Sequence, residues 1–163
     1  MSSVLVMGVS GCGKTTVARL LADRMGAVFL DADDYHPLAN RAKMSAGIAL
    51  TDEDRWVWLD LLASELTAYH SLNQTVVLAC SALKEAHRQR LHASGVPLRT
   101  LYLCGERDLI AARIAKRADH FMPASLLESQ LAALEEPQDA WRGDVTLEPA
   151  EIVKRFLADH PAN

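Results

Sequence analysis

The chain is poor in cysteine, in aromatic residues and in net charge, and each shortage closes off a class of protein. Three cysteines, Cys12, Cys80 and Cys104, stand singly with no CxxC spacing. That argues against a disulfide framework, a structural zinc site or a redox pair, and predicts reduced thiols packed as small apolar residues. Aromatics make up 6% of the residues, and Trp56, Trp58 and Trp141 are read as packing groups before base-stacking ones. A formal net charge of −4 and a pI of about 5.8 leave no positive field to gather nucleic acid or anionic lipid, so an anionic ligand needs a local site. No run approaches the roughly 18 to 20 uninterrupted apolar residues of a membrane-crossing helix. No basic segment precedes the first apolar run, so a soluble, unprocessed, cytoplasmic protein is expected. Repeats, low-complexity tracts and linkers are also missing.

What is present is 163 residues, 50% of them hydrophobic, enough for one well-buried core and read as one domain over residues 1–163. Short apolar runs recur at Val4 to Met7, Ala27 to Leu30, Thr75 to Ala79 and Leu101 to Cys104, with a weaker one at Asp144 to Leu147. They have the length and composition of buried strands. Between them lie segments of helical period: Val17, Leu20, Leu21 and Met25 share one face, as do Leu59, Leu62, Leu66 and Tyr69. Strand alternating with helix predicts an α/β fold, a central parallel five-stranded sheet covered by helices on both faces. Gly26 reads as a helix stop, Thr51 as an N-cap before an acidic first turn, and Pro123 as a helix start.

The decisive motif is Gly8-Val9-Ser10-Gly11-Cys12-Gly13-Lys14-Thr15, which satisfies G-x-x-x-x-G-K-S/T between the first strand and the first helix. Glycines let the backbone wrap a phosphate with its amides pointing inward, and the helix N-terminus adds positive potential. Gly8, Ser10, Gly11, Cys12 and Gly13 are therefore cradle candidates. Lys14 would reach the β- and γ-phosphates, Thr15 would offer its hydroxyl to Mg²⁺, and Thr16 follows in the same first turn. No Asn-Lys-x-Asp of a GTPase is present, and the Thr75 to Ala79 run ends in Cys80-Ser81 rather than in the acid of an ATPase motor. A small ATP-dependent phosphotransferase is the simplest class left.

The second strand ends in Asp31-Ala32-Asp33-Asp34. A two-residue period would put Asp31 and Asp33 on one side, facing the phosphate end of the sheet from a neighbouring strand. One acid could organise Mg²⁺ waters (Asp31) while the other holds or deprotonates an acceptor hydroxyl (Asp33). Asp34 reads as a cap or surface residue.

Asp31-Ala32-Asp33-Asp34-Tyr35-His36-Pro37, then Asn40, Lys43-Met44, Gly47, Leu50-Thr51-Asp52, Asp54-Arg55 and Trp58-Leu59 resemble the gluconokinase pattern. So do Cys80-Ser81-Ala82-Leu83-Lys84, Arg88, Arg113, Arg117, His120-Phe121, Leu127, Ser129-Gln130, Leu134-Glu135 and Pro137, in the same order. Ala49 and Val57 depart from it where the family usually has proline, which bears on loop rigidity more than on the charged positions. The resemblance implies transfer of the ATP γ-phosphoryl group to the 6-hydroxyl of D-gluconate, a fold similar to nucleoside monophosphate and shikimate kinases, and a homodimer.

Gluconate carries one carboxylate and a row of hydroxyls, so its pocket calls for cations and hydrogen-bonding side chains. Arg55, Lys84 and Arg88 are the candidate cations, with His36 as a hydrogen-bonding group, on a substrate-binding helical segment about 37–72 and the loop beyond it. Arg55 stands in an otherwise acidic first turn and therefore needs a partner. Arg113 and Arg117, four apart on one helix face, precede an expected lid at about 118–124. Its closure would exclude water and bring a cation onto the transferring group, Arg117 for catalysis and Arg113 nearer the nucleotide. The adenine is expected near Leu147 to Ala150.

Overall fold

The computed structural model describes residues 2–116 and 124–161. Along the chain run β1 (Ser3–Met7), α1 (Lys14–Met25), β2 (Val28–Asp31), a 3-10 turn (Ala32–Tyr35), α2 (Leu38–Ser45) and α3 (Asp52–Ser71). They are followed by β3 (Val76–Ala79), α4 (Glu85–His92), β4 (Leu98–Cys104), α5 (Arg107–Lys116), α6 (Ala124–Ala133), β5 (Trp141–Asp144) and α7 (Pro149–Asp159). The strands form one parallel sheet in the order β2-β3-β1-β4-β5.

Alternation along the strands divides the core into two layers. Val4 and Val6 of β1 face α1, α5 and α7 through Val17, Leu21, Ile110, Ile114, Val153 and Phe156. Leu5 and Met7 turn to the other face, against Trp58, Leu59, Leu62 and Leu66 of α3 and Leu91 of α4. All five β1 residues are buried, so the central strand is covered on both sides, as a parallel sheet requires. This is the three-layer α/β/α architecture expected. Among the described residues, no helix is long and apolar enough to cross a membrane.

The helix boundaries follow local chemistry. α1 stops at Gly26, left-handed at φ +61°, whose N–H turns back to the carbonyls of Ala22 and Asp23. α3 opens on a reciprocal cap: Asp54 N–H donates to Thr51 Oγ1 (3.2 Å) and Thr51 N–H to Asp54 Oδ2 (2.9 Å).

The last strand differs from expectation. β5 occupies Trp141–Asp144 instead of Asp144 to Leu147. Among the described residues it is an edge strand paired only with β4, so half its side chains need not be apolar and the run Trp-Arg-Gly-Asp suffices. Asp144 then ends it by accepting from Thr146 N–H (2.8 Å) and Oγ1 (2.7 Å), a local turn that Asp favours. Val145 is buried as packing beyond the strand.

Candidate active site

In a parallel sheet the carboxyl ends of all strands meet on one edge, and there the chain leaves β1 through the glycine-rich turn. Gly8 is required by crowding: a Cβ on it would lie 2.7 Å from Cys12 Sγ and 2.8 Å from the Leu103 carbonyl oxygen. Gly13 is required by conformation, with φ +97° and open space around it. Among the described residues no side chain caps α1, and its first turn carries no acid, so its leading N–H groups and the positive end of its dipole remain available to an anion. Lys14 Nζ donates to the Val9 carbonyl (3.1 Å), so the ammonium lies back across the loop. From α6, Gln130 grips the tip twice: Ser10 N–H donates to Gln130 Oε1 (2.7 Å) and Gln130 Nε2 to Ser10 Oγ (2.9 Å).

The acids stand nearby but not as a strand pair. β2 is separated from β1 by β3 and ends at Asp31; Asp33 belongs to the 3-10 turn, where a period of two no longer applies. Asp31 itself bends the chain there, its Oδ1 accepting from Asp33 N–H at 3.0 Å. Its other oxygen, Oδ2, accepts from the Thr15 hydroxyl at 3.5 Å, so α1 and β2 do converge at the mouth of the phosphate loop. Burial raises the Asp31 pKa, with the Asp33 and Asp34 carboxylates adding to the rise and the Asp33 N–H and Lys14 opposing it. Asp33 and Asp34 are exposed.

The basic residues divide by task. Arg55 and Lys84 come from different elements and meet at one carboxylate, Asp52 Oδ1, at 3.9 Å and 3.6 Å. Arg55 also donates to the Leu50 carbonyl (3.0 Å), which supplies the partners its acidic surroundings demanded. Arg88 departs from expectation. It is 3% exposed, and its guanidinium donates to the carbonyls of Ala82 (2.8 Å), Leu83 (3.1 Å) and Glu135 (2.7 Å) and to Glu85 Oε2 (2.8 Å). With its donors taken by backbone carbonyls and Glu85, Arg88 is a brace for the turn after β3, where Ala82 holds a left-handed φ of +41°, a conformation that costs alanine on the order of 1 kcal/mol. The brace fixes the turn that carries Lys84.

His36 stacks on Trp58 with centroids 4.1 Å apart, and Trp58 Nε1 donates to the Ala32 carbonyl between the two acids (2.7 Å). Trp141 Nε1 donates to Asp159, and Trp56 meets His87 edge-on while Arg90 lies over its ring, so all three tryptophans serve packing. Arg113 donates to the Val145 carbonyl, tying α5 to the loop where adenine is expected. Arg117, Pro123 and the lid segment up to α6 fall outside the described residues. Burial pushes the Cys80 thiol up to about 12, which leaves it protonated and unreactive. A cavity of about 840 Å³ opens between α4, the Glu135 to Asp139 loop and the first residues of β4 and β5. That is the opposite edge of the sheet from the phosphate loop.

A family model described as an AAA domain matches residues 4–137. The gluconokinase of Gluconobacter oxydans is 43% identical over 165 residues, covering 96% of this chain and 92% of its own. The chain belongs to the gluconokinase family. The thermosensitive gluconokinase of Escherichia coli is 41% identical, over 94% of this chain and 84% of that one. The crystal structure of a gluconokinase from Sinorhizobium meliloti superposes with a TM-score of 0.86 at 42% identity, covering 96% and 90%.

Three residues near the site carry roles that the sequence does not reveal. Gln130 was visible only as part of the family pattern, because its partner Ser10 lies 120 residues away. Asn40, likewise visible only within the family pattern, is a buried polar residue (3% exposed) that ties α2 to α3 through the Asp54 carbonyl (3.0 Å). His87 is 6% exposed and its Nε2 is buried without a partner among the described residues, while its Nδ1 accepts from Lys84 N–H (3.4 Å). Burial first, then the nearby Arg55 and Lys84 charges, pull it down to about 4.

Proposed function

We propose that this protein is an ATP-dependent gluconokinase that phosphorylates the 6-hydroxyl of D-gluconate, giving 6-phospho-D-gluconate and ADP. The observation that carries the proposal is the meeting of Thr15 and Asp31, 3.5 Å apart, at the mouth of an uncapped glycine-rich loop. It puts a phosphate cradle and acidic groups within reach of one another, as phosphoryl transfer requires.

The loop amides from Gly8 to Gly13 and the α1 N-terminus hold the triphosphate, with Thr16 in the same first turn. Lys14 exchanges the Val9 carbonyl for the β- and γ-phosphate oxygens. Thr15 and Asp31 are a hard oxygen pair of the kind Mg²⁺ accepts, since that ion keeps waters and phosphate oxygens as its remaining ligands. Bound there, Mg²⁺ would neutralise charge on the β- and γ-oxygens. Asp33 orients the 6-hydroxyl and accepts its proton as the new O–P bond forms and the bond from the γ-phosphorus to the ADP oxygen breaks. Arg55 and Lys84 receive the gluconate carboxylate in exchange for Asp52, and His36 bonds a hydroxyl. The helical segment about 37–72 is the acceptor-binding part. Arg117 and the lid of about 118–124 close over the transferring group, with Arg113 toward the nucleotide.

A homodimer in a reducing cytoplasm completes the proposal. Leu38 is 85% exposed and Ile48 and Val57 56% each, apolar surface that a second copy could cover; light scattering on the purified protein tests it.

A panel of acceptors in a coupled ADP-release assay tests the reaction. Gluconate should exceed shikimate and the nucleoside monophosphates by orders of magnitude. Equal release with every acceptor, or none with gluconate, would refute the substrate assignment.

A further inference from the structure

His36 and Asn40 form a unit whose hydrogen-bond directions can be fixed from the partners alone. Asn40 Nδ2 lies 3.0 Å from the Asp54 carbonyl, which can only accept, so the amide is oriented with its NH₂ toward that oxygen. The same Nδ2 lies 3.4 Å from His36 Nδ1. Both of its hydrogens are therefore used as donors, and the ring nitrogen facing it must be the acceptor. A neutral imidazole accepting at Nδ1 carries its proton on Nε2.

Among the described residues nothing else competes for that arrangement. The ring is stacked on Trp58, 4.1 Å between centroids and 16° between planes, which restrains its rotation. Arg41 fastens the preceding turn through the carbonyls of His36 (3.2 Å) and Asp34 (2.9 Å). The Asp54 carboxylate is engaged by Lys43 at 2.7 Å and by the Thr51 N–H, so it does not draw the ring's proton. His36 Nε2 has no partner among the described residues and is not fully buried, so it is open to a ligand.

We propose that Asn40 is a positioning residue that locks His36 as its Nε2–H tautomer, so that the acceptor pocket presents one neutral hydrogen-bond donor to a substrate oxygen. This rests on the gluconokinase reading only for the identity of that oxygen; the tautomer lock stands without it. A neutral donor suits a polyol, because a hydroxyl can accept from it whatever the pH, whereas an imidazolium would add a third cation beside Arg55 and Lys84. Burial, then the Arg41 and Arg55 charges, hold His36 down at about 4, so the neutral form persists across the physiological range.

Long-range ¹H–¹⁵N correlation of the histidine rings in the full-length ¹⁵N-labelled protein reads the tautomer directly, with His36 assigned from the His36→Gln spectrum. The expected result is an Nε2–H ring unchanged from pH 8 to pH 5. An Nδ1–H ring, or a titration midpoint near the ordinary value of about 6.5, would overturn the lock. Asn40→Asp replaces the donor by an acceptor and should flip the tautomer and bring the titration up toward neutrality; an unchanged spectrum would also overturn it. Activity supplies the second arm. His36→Leu should raise the gluconate KM about tenfold, the value of one neutral hydrogen bond, with the ATP KM unchanged. His36→Gln, which keeps an N–H near the Nε2 position, should remain within about threefold of wild type by the same scale. Equal KM values for the Leu and Gln variants would remove the donor role, and no gluconate turnover in any variant or wild type would refute the substrate while leaving the spectroscopic result intact.

Discussion

The phosphate end and the acceptor end of this site are built from different materials. At the phosphate end the ligand-facing groups are mostly backbone: turns that only glycine tolerates at Gly8 and Gly13, and the uncapped amides of α1. At the acceptor end the proposed groups are side chains from the 3-10 turn, the residue after it, α3 and the loop before α4, and two of them are set by buried side chains: Asn40 and Trp58 against His36, and Arg88 behind Lys84. A site made of backbone depends on a short contiguous stretch and tolerates change around it. A site made of braced side chains can be damaged from residues that never touch the ligand.

That contrast is broken or sharpened most strongly by Lys14→Ala. Turnover should fall by roughly 10³-fold or more, since a cation on the transferring phosphoryl is worth that much, with the circular dichroism and melting temperature of wild type; near-normal turnover would dissolve the cradle. Arg88→Ala should act in the opposite sense, on stability. Removing it strands two buried carbonyls and one partly buried one, at a cost of about 3 kcal/mol, so chemical denaturation should show a loss of that order. Lys84→Ala, by contrast, should raise the gluconate KM and leave the unfolding midpoint unmoved. Gln130→Ala removes two bonds to the loop tip and should weaken ATP binding several-fold, about 1 kcal/mol, measured by calorimetry; an effect on gluconate alone would mean that α6 serves the acceptor end.

Acidification gives the smallest and most graded effect. His36 and His87 both have folded pKa values of about 4, below the unfolded 6.5. The folded state thus prefers the neutral rings, and their contribution to stability is full above pH 6.5 and is lost as pH falls from 6.5 toward 4. Melting curves across that window should show a decline that becomes shallower in His87→Gln. A decline confined below pH 4 would mean the two rings are not held neutral.

Much of the fold was legible because it rests on repeating patterns. Four of the five strands, the Gly26 stop and the Thr51 cap lie where periodicity and capping chemistry put them. The last strand was misplaced because an edge strand needs no apolar run, and Val145, which looked like strand, is packing after it. The cradle was legible as eight consecutive residues. The acids were only half legible: Asp31 lies beside Thr15 at the phosphate end, but the side-chain cap it makes to Asp33 N–H ends the strand, and strand periodicity cannot foresee its own termination. Arg88 looked like a ligand because charge is visible in a sequence while burial is not; its carbonyl partners, at Ala82, Leu83 and Glu135, give no sequence signal of their own.

The most direct test of the central claim is the identity of the phosphorylated product. After incubation with Mg·ATP and D-gluconate, the account predicts one phosphate per ADP formed, attached at the C6 oxygen and visible as phosphorus–carbon coupling to C6. ADP formation at the same rate with and without gluconate, or phosphate on any other carbon, would contradict it.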